Sequence, residues 1–387
     1  MKNLETLIRE LCPDGVEFVK LRDCCSFKRG TTITAKNAIP GDVPVLAGGQ
    51  KPAYYHNVAN RTGETIVVAG SGAYAGFVSY WTIPVFLSDS FSVEPDDRLV
   101  IKFVYYFLKN IQQKIFATKK GSGVPHVHGS SIEKFEIPLP PIEVQTEIVR
   151  ILDKFTSLEA ELEAELDCRK RQYEYYRDRL LSFDNEGGQE VEWKKMSEVC
   201  KNICSGGTPL TSKAEYYDGN IPWLRTQEVD YCEIHSTLRN ITQLGLENSS
   251  AKMIPANCVI VAMYGATAAK VAINKIPLCT NQACCNLEID EKQALVRYVY
   301  QWICKQYEVL KAMGEGSQHN INAKKVKDFK IPIPSLEEQR RIVSILDRFE
   351  SLTTSLQSGL PAEIAARRQQ YEHYRDKLLT FKRKRVA

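Results

Sequence analysis

No run in this 387-residue chain approaches the ~18 consecutive apolar residues of a membrane-spanning helix. Met1 to Cys12 reads as an amphipathic helix and lacks the apolar stretch of a secretory leader. A cytoplasmic protein is therefore expected. Charge of one sign is scarce too: 51 basic residues face 47 acidic ones, a net +4. Strong phosphate binders usually carry a clearer basic excess, so charge alone points only weakly to nucleic acid. There is no Gly-x-x-x-x-Gly-Lys-Ser/Thr stretch, which argues against a P-loop nucleotide site. There is no Asn-Pro-Pro-aromatic or Asp-Pro-Pro-aromatic stretch, the kind that amino-methyltransferases use to grip a target base. Of the twelve cysteines, Cys200 and Cys204 form a lone C-x3-C with no second pair at zinc-site spacing. The cysteines are expected to be small buried hydrophobes in a reducing compartment. His126 and His128, expected on one face of a strand, lack a third metal ligand. No Ser/His/Asp or Cys/His set stands out by spacing. The sequence thus offers no catalytic residue and no metal site.

What is present is a repeat. Residues 135–155 read FEIPLPPIEVQTEIVRILDKF, and residues 329–349 read FKIPIPSLEEQRRIVSILDRF. Residues 171–183 read RQYEYYRDRLLSF, and residues 369–381 read QQYEHYRDKLLTF. Between the two blocks the second copy is four residues longer. The stretches preceding these blocks barely match, so the order is variable globule, repeated helix, variable globule, repeated helix. A chain of this length, 43% hydrophobic, can bury a core in each half.

Each repeated block reads as a long helix. Ile148, Ile151, Phe155, Leu158, Leu162, Leu166, Tyr173, Tyr176, Leu180 and Phe183 step by three, four or seven, a coiled-coil seam. The second seam is Ile342, Ile345, Phe349, Leu352, Leu356, Leu360, Ile364, Tyr371, Tyr374, Leu378 and Phe381. Ser335 with Glu338 predicts a capping box. Gly359 and Pro361 predict a kink or break in the second helix. Glu159, Glu161, Glu163, Glu165 and Asp167 read as a solvated acidic face. Two apolar stripes in one chain most simply bury each other as an antiparallel pair, each helix roughly 60 Å long. The fold class expected is α+β: two mixed α/β globules separated by two long antiparallel coiled-coil helices, with a pseudo-two-fold repeat. The boundaries are a helix at 1–12, a globule at 13–141, a spacer helix at 142–183, a linker at 184–190, a second globule at 191–335, and a second spacer helix with a basic tail at 336–387. In the globules, 64–69 and 258–262 read as strands, and 99–116 and 295–313 as amphipathic helices.

The doubled Phe-x-Ile-Pro-x-Pro, Gln145 and Gln339 with the Ile-Val-x-Ile-Leu-Asp that follows, and the doubled Tyr-Glu-x-Tyr-Arg-Asp resemble the specificity subunit of type I restriction-modification systems. The resemblance covers essentially the whole chain. Gly206-Gly-Thr-Pro209 with Ile221-Pro-Trp223, and Thr280-Asn-Gln-Ala283, resemble that family's target recognition domain; the first globule has Arg29-Gly-Thr-Thr32 instead. The resemblance implies a non-catalytic DNA-binding subunit without a cofactor of its own. Two methyltransferase subunits would use S-adenosylmethionine to methylate adenine N6. Two translocase-endonuclease subunits, where present, would add cleavage driven by ATP with Mg. No membrane partner is implied. The alternative, a coiled-coil scaffold without base readout, explains the helices but not two large unlike globules.

Base readers must be polar, basic or aromatic loop residues. The candidates in the first globule are Lys28, Arg29, Thr31, Thr32, Tyr54, Tyr55, Ser71, Tyr74, Lys119, Lys120 and His126. Those in the second are Thr208, Ser212, Lys213, Arg225, Thr226, Gln227, Tyr264, Thr267, Lys270, Gln318, His319 and Asn320. Tyr173, Tyr176, Arg177, Tyr371, Tyr374 and Arg375 are expected to fill the seam or dock partners. The tail from Lys382 to Arg385 reads as a solvated end or, alternatively, as a phosphate contact.

Two unlike globules held by antiparallel helices would read two unlike half-sites separated by unread bases. Four added helical residues extend a helix by about 6 Å and turn its stripe by only about 40°. Inserting one Leu-Glu-Ala-Glu unit before Leu158, which keeps the four-residue period, is therefore expected to lengthen the unread spacer by about one base pair, at about 3.4 Å per pair. Sequencing of methylated sites checks this, and an unchanged spacer contradicts it.

Overall fold

The computed structural model describes residues 4–121, 123–183, 191–315, 320–355 and 358–384. The linker at 184–190, Gln318, His319, Leu356 and Arg385 lie outside them. The chain divides into two compact units, Met1–Ala164 with Glu363–Ala387, and Glu165–Ala362. Among the described residues no helix is long and apolar enough to cross a membrane.

The first unit opens with helix α1 (Leu4–Leu11), strand β1 (Glu17–Lys20) and β2 (Cys25–Arg29). There follow β3 (Val43–Leu46), β4 (Tyr54–His56), β5 (Thr65–Ala69), β6 (Val78–Trp81), β7 (Phe86–Leu87) and β8 (Ser90–Pro95). Then come α2 (Ile101–Asn110), α3 (Gln112–Phe116), α4 (Gly129–Ile132), β9 (Glu136–Leu139) and the start of α5 (Ile142–Leu180). The main sheet has the order β2-β8-β5-β6 and a smaller one β4-β3-β7. Strand β5 is buried along its whole length. Its Thr-Ile-Val-Val-Ala run suits that place, because β-branched residues pack well on both faces of a pleated strand. The chain's last described residues complete this unit: the Val16 amide donates to the Lys382 carbonyl, and the Lys384 amide to that of Val16.

The second unit begins in the later turns of α5 and continues through β10 (Glu192–Lys195), β11 (Cys200–Ser205), β12 (Tyr217–Leu224), β13 (Cys232–Ile234) and β14 (Asn240–Ile241). Next come α6 (Gln243–Glu247), β15 (Met253–Ile254), β16 (Val259–Ala262), β17 (Val271–Asn274), β18 (Leu278–Thr280) and β19 (Cys284–Ile289). The unit closes with α7 (Val296–Lys305), α8 (Tyr307–Ala312), α9 (Ala323–Asp328), β20 (Lys330–Ile333) and α10 (Leu336–Thr354). Its sheets are ordered β11-β19-β16-β17-β13 and β14-β12-β18-β15. Apart from the added edge strands β13 and β15, this is the strand order of the first unit. The fold is duplicated where the sequences have stopped matching. All twelve cysteines are free and seven are buried; burial pushes the Cys258 thiol up to about 12.

One glutamine ties each globule to its helix. Gln145 is fully buried. Its Oε1 accepts from the Val100 amide at 2.8 Å, and its Nε2 donates to the carbonyls of Arg98 (2.9 Å) and Pro140 (2.8 Å). Gln339 repeats this with the Leu295 amide (2.9 Å) and the carbonyls of Gln293 (3.1 Å) and Pro334 (2.9 Å). Val100 and Leu295 precede α2 and α7, neither of which has a side-chain cap of its own. The glutamine thus caps a globule helix from another element. Two turns on, Asp153 accepts from Lys102 (2.8 Å) and Tyr106 (2.6 Å), and Asp347 accepts from Arg297 (2.6 Å) and Gln301 (3.4 Å).

The helix seam corrects several expectations. The second spacer helix is broken: α10 ends at Thr354, and α11 runs from Leu360 to Leu378. Ser355 leaves helical geometry at ψ 118°. A Cβ on Gly359 would lie 2.7 Å from the Ser351 carbonyl oxygen, so glycine fits this turn. Pro361 sits in the first turn of α11, where no amide is needed. The stripe from Leu352 to Ile364 is therefore not one helical face. Leu158, Leu162 and Leu166 are only half-buried. In the first unit Tyr374 stacks on Phe155 at 5.4 Å, and Arg368 pairs with Glu159 and Glu163. Residue numbers rise along one helix as they fall along the other, so this pair is antiparallel. Glu159 and Glu163 grip the facing helix rather than water alone. In the second unit Tyr176 stacks on Phe349 at 5.4 Å. Ser335 caps α10 by accepting from the Glu338 amide at 3.2 Å, but the Glu338 carboxylate binds Arg341, so the capping box is half formed.

Replacing Gln145 or Gln339 by leucine strands three backbone groups each. Either change is expected to cost about 2–4 kcal/mol of stability, measured by urea unfolding of the whole chain.

Candidate nucleic-acid interface

Three loops of each globule are pinned by the same backbone hydrogen bonds. The first follows β2 or β11. The Gly30 amide donates to the Ser90 carbonyl and that of Thr31 to Leu87, both at 2.9 Å. The Gly206 amide donates to Cys284 (3.4 Å) and that of Gly207 to Thr280 (2.9 Å). Gly30-Thr31-Thr32 therefore occupies the place of Gly206-Gly207-Thr208. A Cβ on Gly30 would lie 2.2 Å from the Leu87 oxygen, and one on Gly206 2.0 Å from that of Thr280. The second loop follows β5 or β16. The Gly76 amide returns to the Ala69 carbonyl at 2.7 Å, and that of Ala269 to Ala262 at 2.9 Å. Gly72 and Gly265 both have left-handed backbones, as do Gly76 and Ala269. In the third, Lys120 bridges His126 and the Val127 amide donates to Gly70. Glu315 likewise bridges Asn320, and the Ile321 amide donates to Met263. Ser71 corresponds to Tyr264, and His126 to Asn320.

In the first globule these loops surround a cleft of about 220 Å³ lined by Arg29, Asp89, His126, His128 and Glu133. The Ser71 hydroxyl donates to the Asp89 carboxylate. Arg29, 78% exposed, stands 3.7 Å from Asp89. His126 and His128 lie in irregular backbone rather than a strand, yet their rings stack at 6.3 Å. Among the described residues no group of three or more His, Cys, Asp or Glu is placed to hold a metal. Thr31, Thr32, Tyr55, Tyr74 and Lys120 are exposed around the loops. Tyr54 and Lys119 hold the loops instead: the Tyr54 hydroxyl donates to the Ile33 carbonyl (2.6 Å), and Lys119 Nζ to that of Ala73 (3.0 Å). Lys28 points from the opposite face of β2 to Arg29 and pairs with Glu94 at 2.5 Å.

In the second globule the Thr208 hydroxyl donates to the Gln282 amide oxygen, and the Thr267 hydroxyl to the Thr226 carbonyl at 2.8 Å. Ser212, Lys213, Gln227 and Tyr264 are exposed, with Lys213 3.3 Å from Glu215. Asn320 accepts from the Gly265 amide at 3.4 Å. Lys270 is held by Asp230 at 2.6 Å and lies over the Tyr231 ring. Arg225 lines a second pocket with Arg239, which sequence reasoning missed. No motif surrounds Arg239; only the return of β14 beside β12 brings it there.

Seam residues are engaged within each unit. The Tyr173 hydroxyl donates to Gln301 at 2.8 Å, and Arg177 lies over the Tyr173 ring. Arg375 donates to Asn110 at 3.0 Å and lies over Tyr371, whose hydroxyl burial pushes up to about 12.

Gly30→Ala and Gly206→Ala are each expected to destabilise the chain by about 2–3 kcal/mol, because the added carbon meets backbone. Gly123→Ala, with nothing within 4 Å of its Cβ, is the neutral control in the same urea titration.

The family model for the type I restriction modification DNA specificity domain matches residues 13–167 and 189–366. The chain is 41% identical over 298 residues to the EcoR124I/EcoR124II type I restriction enzyme specificity subunit of Escherichia coli, covering 74% of this chain and 72% of that one. It shares its fold with a type I restriction-modification S subunit from M. genitalium, at a TM-score of 0.62 and 19% identity over 94% and 96% of the two chains. A chain solved to address complex assembly and conformational transition of the type I R-M system superposes at 0.60, with 18% identity over 95% and 98%. The repeated helices, the duplicated globules and these likenesses agree: the chain belongs to the specificity subunits of type I restriction-modification systems.

Proposed function

We propose that this subunit reads an asymmetric, bipartite DNA site, one half-site per globule, and does no chemistry itself. One observation carries the reading: the same three pinned loops recur in both globules with unlike side chains. Ser71 and His126 on one scaffold become Tyr264 and Asn320 on the other. A shared scaffold with different donors and acceptors suits two half-sites of different sequence. Methyltransferase subunits dock through the helices and methylate adenine N6 with S-adenosylmethionine. Restriction subunits, where present, bring ATP and Mg. The assembly addressed with the related solved chain supports a multi-subunit setting.

Charge supports shared DNA binding. Residues 13–141 carry 14 basic and 11 acidic side chains, and residues 184–335 carry 17 of each. The isolated chain is expected to bind DNA weakly with a shallow salt dependence, its partners supplying most phosphate contacts. Nanomolar specific binding by the chain alone contradicts this.

Mapping methylated adenines in a host with and without this chain tests the main reading. His126→Ala is expected to relax one position of one half-site by about 1–3 kcal/mol, and Asn320→Ala one position of the other. Modification that persists unchanged without the chain would overturn the reading.

A further inference from the structure

We propose that Arg225 of the second globule reads a guanine, oriented by Glu228, in a pocket it shares with Arg239. This assignment rests on the DNA-reading function above and names one of its contacts. The pocket holds about 410 Å³ and is lined by Tyr217, Asp218, Trp223, Arg225 and Arg239, among others. Its walls are tied to the first pinned loop: the Tyr217 hydroxyl donates to the Pro209 carbonyl at 2.6 Å, and Trp223 Nε1 to that of Gly207 at 3.0 Å. The Arg225 side chain is 32% exposed, and the Glu228 side chain only 10%.

Glu228 cannot swing freely. Its Oε1 accepts from the Arg225 amide at 3.1 Å, and its Oε2 from the Leu238 amide at 2.8 Å. Arg225 Nε stands 3.8 Å from Oε1. That nitrogen is buried and, among the described residues, has no hydrogen-bond partner. A shift of about 1 Å would bring it into hydrogen-bond range of the carboxylate. After that shift the carboxylate would hold the inner edge of the guanidinium and leave the terminal amino groups for the pocket. Arg239 lies over the Tyr217 ring at 5.1 Å and 3.9 Å from Asp218.

A fixed guanidinium presents two parallel donors. Guanine offers two acceptors, O6 and N7, on its major-groove edge, whereas adenine places a donor beside its N7. A phosphate also accepts two such bonds, but a phosphate contact does not need the arginine head to be locked by a buried carboxylate. The first globule has no arginine at this place. The Ser88 amide donates to Leu46 as the Asn281 amide does to Leu224, which sets Ala47 in the place of Arg225.

The test is the modification specificity of the subunit assembled with its methylating partner, read by sequencing methylated adenines. R225A is expected to lose roughly tenfold to hundredfold discrimination at a single G·C pair of one half-site, with the other half-site intact. R225K keeps the charge without the paired donors and is expected to relax the same pair. Placing 7-deazaguanine at that pair should weaken modification by the wild-type complex but not by the R225A complex. E228Q is expected to relax this pair alone; equal loss at every position would overturn its positioning role. R225A weakening all positions uniformly would make Arg225 a phosphate contact and overturn the assignment, as would an unchanged motif. A wild-type complex with no bipartite motif would instead overturn the parent reading, and this contact with it.

Discussion

A buried primary amide organises each half of this molecule. A glutamine side chain has one acceptor and two donors within a few ångströms, and at Gln145 and Gln339 the main chain uses all three sites. The acceptor caps a globule helix; the donors fasten the loop before that helix and the turn that launches the long helix. Because the amide is buried, losing any one bond leaves a polar group without water. The angle at which each globule meets its own helix is therefore set by directional contacts, not by apolar packing alone. The Asp153 and Asp347 clusters fix the same joint two turns further along.

Around that joint the globule surfaces are free to differ. The loop backbones are held by hydrogen bonds between main-chain groups and by glycines whose Cβ would collide with a neighbouring carbonyl. The backbone bonds recur in both globules while the side chains at equivalent places differ, as Ser71 and Tyr264, or His126 and Asn320, show. Lys119 and Lys270 are the reverse case: their charge is spent on loop carbonyls and on Asp230.

Much of this was legible in the sequence because helices and prolines leave periodic marks. The repeated Phe-x-Ile-Pro-x-Pro locates β9 and β20, and the strand and helix stretches of both globules fall where β-branched runs and amphipathic spacing place them. The break between α10 and α11 was signalled by Gly359 and Pro361, though not its completeness. Other features left no local trace. The shared strand order of the globules rests on backbone pairing, which tolerates nearly any apolar residue in β5 or β16. The opposition of Lys28 and Arg29 depends on strand register, and the neighbourhood of Arg239 on a long-range return of the chain. Glu159 and Glu163 read as a water-facing row because their partner Arg368 is distant in sequence.

The first unit borrows its closing helix from beyond the whole of the second. Val16 pairs with Lys382 and Lys384, and Leu379 is buried in the core built by the opening residues. A ribosome delivers the second unit complete before those residues emerge. The globule made first must consequently wait, its docking groove open, until its sibling has been synthesised, and it is the last to finish folding. A chain truncated before residue 363 would carry a complete second unit beside a first one lacking its closing helix.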